Sequence, residues 1–594
     1  MIENTISKLL VDCVKSLYDS ELPSNLAQVQ KTRPDFEGDY TVVVFPLLRI
    51  SKKNPEQTAN EIGEFLQNSS EYISGFNVVK GFLNLSISDS YWLNFFNDNW
   101  LKDKFGKVDI KDEQALVIEY SSPNTNKPLH LGHIRNNLLG WSVAEINKAA
   151  GKNVKKVNLV NDRGIHICKS MLAWQKYGEE RKPNDIGIKG DKFVGDYYVK
   201  FDQEYKKEIA NLIESGSDKE DAEKNAPILL EAKQMLKKWE EGDTEVRELW
   251  QEMNQWVYDG FDISYKRMGI DFDKVYYESD TYLLGKSLVE EGLEKGVLFK
   301  KEDGSVWCDL SDEGLDQKLL LRADGTSVYM TQDLGTAQLR YDDYNPTDLV
   351  YVVGNEQIYH FDVLKKVLKK LGRSWADAIH HLSYGMVELP HGKMKSREGT
   401  VVDADDLMDA MYDTAKTTSE ELAKFDDFTE EESDKLYNIL SLGALKYFIL
   451  KVDPKKTMMF NPEESIDFTG NTGPFIQYTH ARIKSVLRKA KEAKINYNLN
   501  FDNHQLEDKE KSLIKLLSDY PIIIQHAAEN YSPAVIANYA YELAKEYNQF
   551  YHALPMLKEE NETKRSLRLA ISEFTANTIK SAFELLGIDV PERM

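Results

Sequence analysis

The sequence predicts an α/β protein: a Rossmann-like, doubly wound parallel sheet split by an insertion, with a small N-terminal α/β domain and an all-helical C-terminal domain. Three observations carry this. An apolar run at residues 115–120 reads as a buried strand and is followed, after a proline-containing loop, by helical spacing over 134–150 that stops at Gly151. A second strand, 154–160, completes a parallel βαβ unit. The buried-strand pattern returns near Tyr329, where strand 348–354, helix 357–371 and a strand region at 379–389 make the second half.

Residues 1–110 precede the sheet as the small α/β domain. Residues 2–18 have a mixed helical pattern, and Asn54-Pro55-Glu56-Gln57 reads as a helix start with Asn as N-cap and Pro in the first turn. Residues 40–45 and 76–80 read as strands, with 81–85 continuing the second. The charged run from Lys102 to Glu113 marks the boundary.

Between the first strand and its helix lies Ser121-Ser122-Pro123-Asn124-Thr125-Asn126-Lys127-Pro128-Leu129-His130-Leu131-Gly132-His133. The helix start aims free N–H groups and a positive dipole end at this loop, which suits a phosphate. His130 and His133 sit at that mouth, where imidazoles donate to phosphate oxygens without full charge, and Gly132 allows close approach. A His-x-x-His pair alone is commoner on surfaces and at metals; its position between strand and helix favours a nucleotide site. Asn161-Asp162-Arg163-Gly164 follows the second strand and so lies at the same sheet edge.

Residues from about 166 to 325 are mostly helical and highly charged and read as an insertion between the sheet halves, with short strands near 304–308 and 318–325. Beyond the second half, Lys393-Met394-Lys395-Ser396-Arg397-Glu398-Gly399-Thr400 is a cationic loop able to clamp a triphosphate. Residues 405–594 are helical by period, and Ser532-Pro533 starts one helix. In 479–493, Ile483, Val486, Leu487 and Ala490 form an apolar face opposite cationic Lys484, Arg488 and Lys491; charge alone reads this as a solvated face.

At 594 residues the chain exceeds one core, so the expected domains are 1–110, 111–404 and 405–594. A net charge of −23 argues against non-specific coating of nucleic acid but permits a local basic groove. No apolar run spans a bilayer, the start lacks signal-peptide features, and Cys13, Cys168 and Cys308 show no metal spacing. A reducing cytoplasm is the simplest home, with no membrane partner.

With these motifs placed, the chain resembles class I aminoacyl-tRNA synthetases, and specifically the arginyl branch, from end to end. His130-Leu131-Gly132-His133 is similar to the family's HIGH motif, and 393–399 to its KMSKS loop. Ser122-Pro123-Asn124, Tyr329-x-Thr331-x-Asp333, Gly354-Asn-Glu-Gln357-x-x-His360, Thr472-Gly-Pro-Phe475, Gln477-Tyr478-x-x-Ala481-Arg482 and the stretch 587–594 resemble arginyl enzymes.

The resemblance implies ATP-dependent ligation of L-arginine to its tRNA through an arginyl-adenylate. His130, Gly132, His133, Gly354, Glu356, Lys393 and Ser396 would bind ATP, with His130, His133, Lys127 and Lys393 catalytic. The family's second loop lysine is Ser396 here, and Lys127 matches a compensating position before HIGH. Glu119, Ser122, Asn124, Tyr329, Asp333 and Gln357 would bind arginine, Asp333 holding the guanidinium. Lys484, Arg488 and Lys491 would face tRNA, which the first domain would touch at its outer corner and the helical domain near the anticodon. Mg2+ would travel with ATP, without a protein metal site, and the enzyme would act as a monomer. Two rivals are a small-cofactor adenylyltransferase, whose members are far shorter, and a catalytically silent synthetase-like protein, against which the intact histidines and pocket residues argue.

Overall fold

The computed structural model describes residues 2–33, 35–111, 113–388, 402–422, 428–497, 500–501 and 504–594. Its central sheet has five parallel strands: β1 (Ala115–Glu119), β2 (Asn153–Val160), β3 (Lys274–Tyr277), β4 (Asp348–Gly354) and β5 (Ile379–Tyr384). They lie in the order β3-β2-β1-β4-β5. The order reverses between β1 and β4, and a ligand crevice is expected outside the carboxyl ends of that pair. All five residues of β1 are buried, which explains the apolar run at 115–118 before the buried Glu119.

Helix α1 (Leu131–Ala149) returns the chain from β1 to β2. It packs against the strand closely enough that a Cβ on Gly140 would lie 2.4 Å from the Tyr120 side chain. On the other side of the sheet are α2 (Tyr329–Tyr344) and α3 (Ile358–Lys370). Their Leu334, Ala337, Val363 and Val367 join Val117, Val157, Leu349 and Tyr351 of the strands in one apolar core.

The doubly wound sheet follows the reading from sequence, with one difference. β3 pairs with β2 from inside the stretch expected to be an insertion over 166–325. That stretch is two excursions. The first, between β2 and β3, is helical and includes Gly190–Glu214 and Thr244–Met268. The second, between β3 and β4, holds helix Leu284–Glu294 and a three-stranded antiparallel sheet of Leu298–Lys300, Val306–Cys308 and Lys318–Leu321. β3 is four residues long with only Tyr276 buried, so no apolar run announces it.

The chain divides into two units, one of residues 1–105, 483–519 and 545–577, the other of 106–482, 520–544 and 578–594. The first contains a four-stranded antiparallel sheet. Residues 81–85 do not continue the preceding strand as expected. Lys80 (φ 51°) and Gly81 (φ 81°) turn the chain back, and Phe82–Ile87 pairs antiparallel with Ile73–Val79. Two consecutive left-handed residues suit a two-residue hairpin turn. Helix Pro55–Ser69 begins as anticipated, with Asn54 accepting from Gln57 N–H at 2.8 Å. The ring of Phe96 lies 5.9 Å from Phe501 and 6.0 Å from Phe574, so the first hundred residues share a core with residues late in the sequence. Within that core Arg568 pairs with buried Glu510 at 2.8 Å and with Glu559 at 2.7 Å.

After Val402 the described chain is helical apart from the two-residue strand Met458–Met459. No described helix is long and apolar enough to cross a membrane.

Candidate active site

The loop leaving β1 starts with two strained residues. Ser121 (φ 80°) and Ser122 (φ 46°) are both in the left-handed region, which costs about 1–3 kcal/mol for each non-glycine residue. Side chains hold them there. Asn136 Oδ1 accepts from Ser121 N–H at 2.6 Å and Asn158 Oδ1 from Ser122 N–H at 2.9 Å. Asn136 also donates to Val352 O of β4 at 2.7 Å, bridging the reversal point of the sheet.

Eight residues beyond Ser122, two histidines cap α1. His130 Nδ1 accepts from Gly132 N–H and His133 Nδ1 from His130 N–H, each at 3.1 Å. With Nδ1 accepting, a neutral ring carries its proton on Nε2, the donor it offers a ligand. Burial and nearby Lys127 lower His130 to about 4, and burial holds His133 well below its ordinary range. Both are therefore neutral hydrogen-bond donors at neutral pH.

His130, Gly132 and His133 line a cavity of about 400 Å³ with Lys127, Ser121, Ser122, Asn136, Gly354, Glu356 and Tyr384. It sits at the carboxyl ends of β1, β4 and β5, where the sheet order requires a crevice. Burial lowers the Lys127 ammonium pKa, which favours a counter-anion beside it. Lys393 and Ser396 lie outside the described residues. The residues flanking their segment, and the loop at 454–456, are tied to α1 and the residue pair before it. Arg135 donates to Met386 O (3.1 Å), Pro454 O (3.1 Å) and Lys456 O (2.7 Å), while Leu131 N–H reaches Val402 O and Ala404 N–H reaches Leu129 O.

A second cavity, of about 590 Å³, is lined by Asn124, Asn161, Arg163, Glu278, Tyr329 and Gln332 among others. Tyr329 is 76% exposed there. Two residues lining this cavity are carboxylates, Glu240 and Glu278. Burial raises Glu278 to about 7, with Asp162 and Asp333 adding to the rise and Arg163 opposing it. Glu119 is buried, accepts from Ser122 Oγ at 3.1 Å and forms an ion pair with buried Arg340. Burial raises the Glu119 carboxyl, and Arg340 opposes that rise. Asp333 Oδ2 meets His360 Nε2 at 2.5 Å. Gln357 ends a 3₁₀ turn after β4 and is exposed. The first cavity offers neutral and cationic donors for phosphate, while the second is lined by both signs of charge, Glu240 and Glu278 with Arg163, Lys286 and Arg322; Glu119, Asp333 and Gln357 line neither.

Comparison with known proteins gives this chemistry its context. Residues 98–461 match the model described as tRNA synthetases class I (R), catalytic domain. Residues 2–87 match the arginyl tRNA synthetase N terminal domain and 476–594 the DALR anticodon binding domain. Arginine--tRNA ligase of Bacteroides thetaiotaomicron is 58% identical over 595 residues, covering 100% of both chains. The chain belongs to the arginyl-tRNA synthetase family. The Flavobacterium psychrophilum arginine--tRNA ligase is 56% identical, again over 100% of each chain. Among solved structures, the fold is similar to Thermus thermophilus arginyl-tRNA synthetase (TM-score 0.79, 24% identity, 100% of each chain). It is also similar to the Plasmodium falciparum enzyme (TM-score 0.76, 20% identity, 100% of this chain and 99% of that one).

Membership of the arginyl-tRNA synthetase family gives the residues outside both cavities a frame. Lys484, Arg488 and Lys491 lie on helix Gly473–Glu492, whose Ile483, Val486 and Ala490 are buried; Arg488 and Lys491 are exposed and Lys484 is half-buried. Sequence reasoning did not single out Asn136, Glu278 or Arg340. Asn136 had a signal, lying three residues beyond His133 on the same helix. Glu278 had none, because only the pairing of β3 brings it to the site.

Proposed function

We propose that the chain joins L-arginine to its tRNA in two steps, as its resemblance to arginine--tRNA ligases over the whole length implies. An oxygen of the arginine carboxylate attacks the α-phosphorus of ATP, the bond to the bridging oxygen breaks, and pyrophosphate leaves. The terminal ribose hydroxyl of tRNA then takes the arginyl group and AMP departs. Little covalent help is needed, so positioning and charge stabilisation dominate.

The observation that carries this reading is the cavity at the sheet reversal, where neutral His130 and His133 stand beside Lys127. In it His130, Gly132, His133, Gly354 and Glu356 bind ATP, and magnesium enters with the nucleotide as part of the substrate. Lys393 and Ser396 complete the ATP set by sequence position. Lys127 stabilises charge developing on the phosphates, in place of the lysine replaced by Ser396. Asp333, Tyr329, Asn124, Ser122, Gln357 and Glu119 hold arginine; a guanidinium has five donors in a plane, which carboxylates match. Lys484, Arg488 and Lys491 contact tRNA, and the domains are 1–110, 111–404 and 405–594.

ATP–pyrophosphate exchange with each amino acid, with and without tRNA, tests the reading. Exchange only with arginine and tRNA together is expected; exchange with another amino acid rejects it. Lys127→Ala is expected to slow adenylate formation by roughly 10²-fold, the scale of one lost charge-stabilising group. An unchanged rate removes Lys127 from the catalytic set.

A further inference from the structure

Asp333 lies in the second turn of α2 and His360 at the start of α3, joined at 2.5 Å between Nε2 and Oδ2. A carboxylate only accepts, so His360 Nε2–H is the donor. The imidazole is braced in turn. Its edge meets Phe361, with centroids 5.9 Å apart at 84°. Phe361 stacks on His381 of β5 at 4.5 Å and lies 5.0 Å from Tyr351 of β4. His381 Nε2 is itself 3.1 Å from Val353 O. An aspartate χ2 torsion is broad and two-fold, so an unsupported carboxylate plane is poorly fixed. With Oδ2 held by a braced ring, rotation of the carboxylate about χ2 is restrained.

We propose that His360 is a positioning residue for the amino acid substrate, fixing the Asp333 carboxylate plane so that it meets the guanidinium fork in register. The proposal rests on the reading of Asp333 as the guanidinium acceptor and adds what orients it. His360 acts through Asp333 and touches neither ATP nor the reacting carboxylate. Its effect therefore falls on arginine affinity.

The test is ATP–pyrophosphate exchange in the presence of tRNA, with KM for arginine, KM for ATP and kcat measured separately. His360→Ala is expected to raise the arginine KM roughly tenfold, the scale of one hydrogen bond to a charged group, while kcat and the ATP KM hold. His360→Gln keeps an N–H donor and is expected to recover most of the loss. Asp333→Asn raises the arginine KM further, and adding His360→Ala to it costs nothing more, because the two act as one unit. Additive losses in the double variant, or a normal arginine KM in His360→Ala beside an impaired Asp333→Asn, overturn the role of His360 alone. A normal KM in Asp333→Asn instead removes the reading beneath it. Should His360→Ala not fold, His360→Gln against His360→Phe makes the same comparison at larger volume, donor present against donor absent.

Discussion

Glu278 lines the larger cavity, and its carboxyl rises from an ordinary 4.5 to about 7, chiefly through burial. Between those values the folded protein keeps a proton that the unfolded chain has lost, so this group makes stability fall as pH rises through the window. Glu278→Gln removes that loss. Its thermal midpoint relative to the parent is expected to climb from about pH 5 to about pH 8; a constant difference across the window contradicts the assignment. The histidines at the head of α1 behave in the opposite sense. Burial and Lys127 hold His130 at about 4, and His133 is also pushed well down, so neither changes charge near neutrality. The pH profile of exchange is expected to lack a limb from them above about pH 5. An ionisation near 6 that disappears in His133→Gln defeats that expectation. His130 and His133 were legible in the sequence because a glycine, a helix start and a preceding strand are contiguous with them. Glu278 and Arg340 were not, because distant strands and helices bring them to the site.

At the scale of elements, the seat of α1 on β1 is set by the absence of a side chain. A Cβ at Gly140 would stand 2.4 Å from Tyr120 Cβ and Cγ, and Tyr120 is itself buried. Gly140→Ala gains helix propensity of about 1 kcal/mol but forces helix and strand apart, and overpacking of this kind costs about 1–3 kcal/mol. A lower melting temperature with a raised ATP KM is the expected result, since α1 carries both histidines. A more stable Gly140→Ala protein rejects the close seat. The long, periodic elements of the sheet were readable: β1, β2, β4 and their helices bury whole faces, and burial writes itself into apolar spacing. β3 was hidden because an edge strand of four residues buries little. The hairpin at Lys80-Gly81 was missed because two strands with similar alternation read as one when the turn between them has only two residues.

The molecule as a whole is assembled from separated stretches of sequence. In the unit of residues 1–105, 483–519 and 545–577, Glu510 is wholly buried, pairs with Arg568 and also accepts from Glu507 N–H at 2.9 Å. Arg568→Met removes that carboxylate's guanidinium partner in a low-dielectric interior and leaves it the Glu507 N–H, a loss of up to about 3–5 kcal/mol. Hydrogen exchange is expected to quicken throughout those three stretches; unaltered exchange across 1–105 means that they do not share stability. The sharing has a temporal consequence. A ribosome releases the strands of the first hundred residues early, yet Phe501 and Phe574, which cover Phe96, emerge after the entire central sheet. At about 5–20 residues per second, that apolar face waits tens of seconds for its lid. Synthesis rate and chaperone supply thereby become part of what determines how much active enzyme a cell obtains from each message.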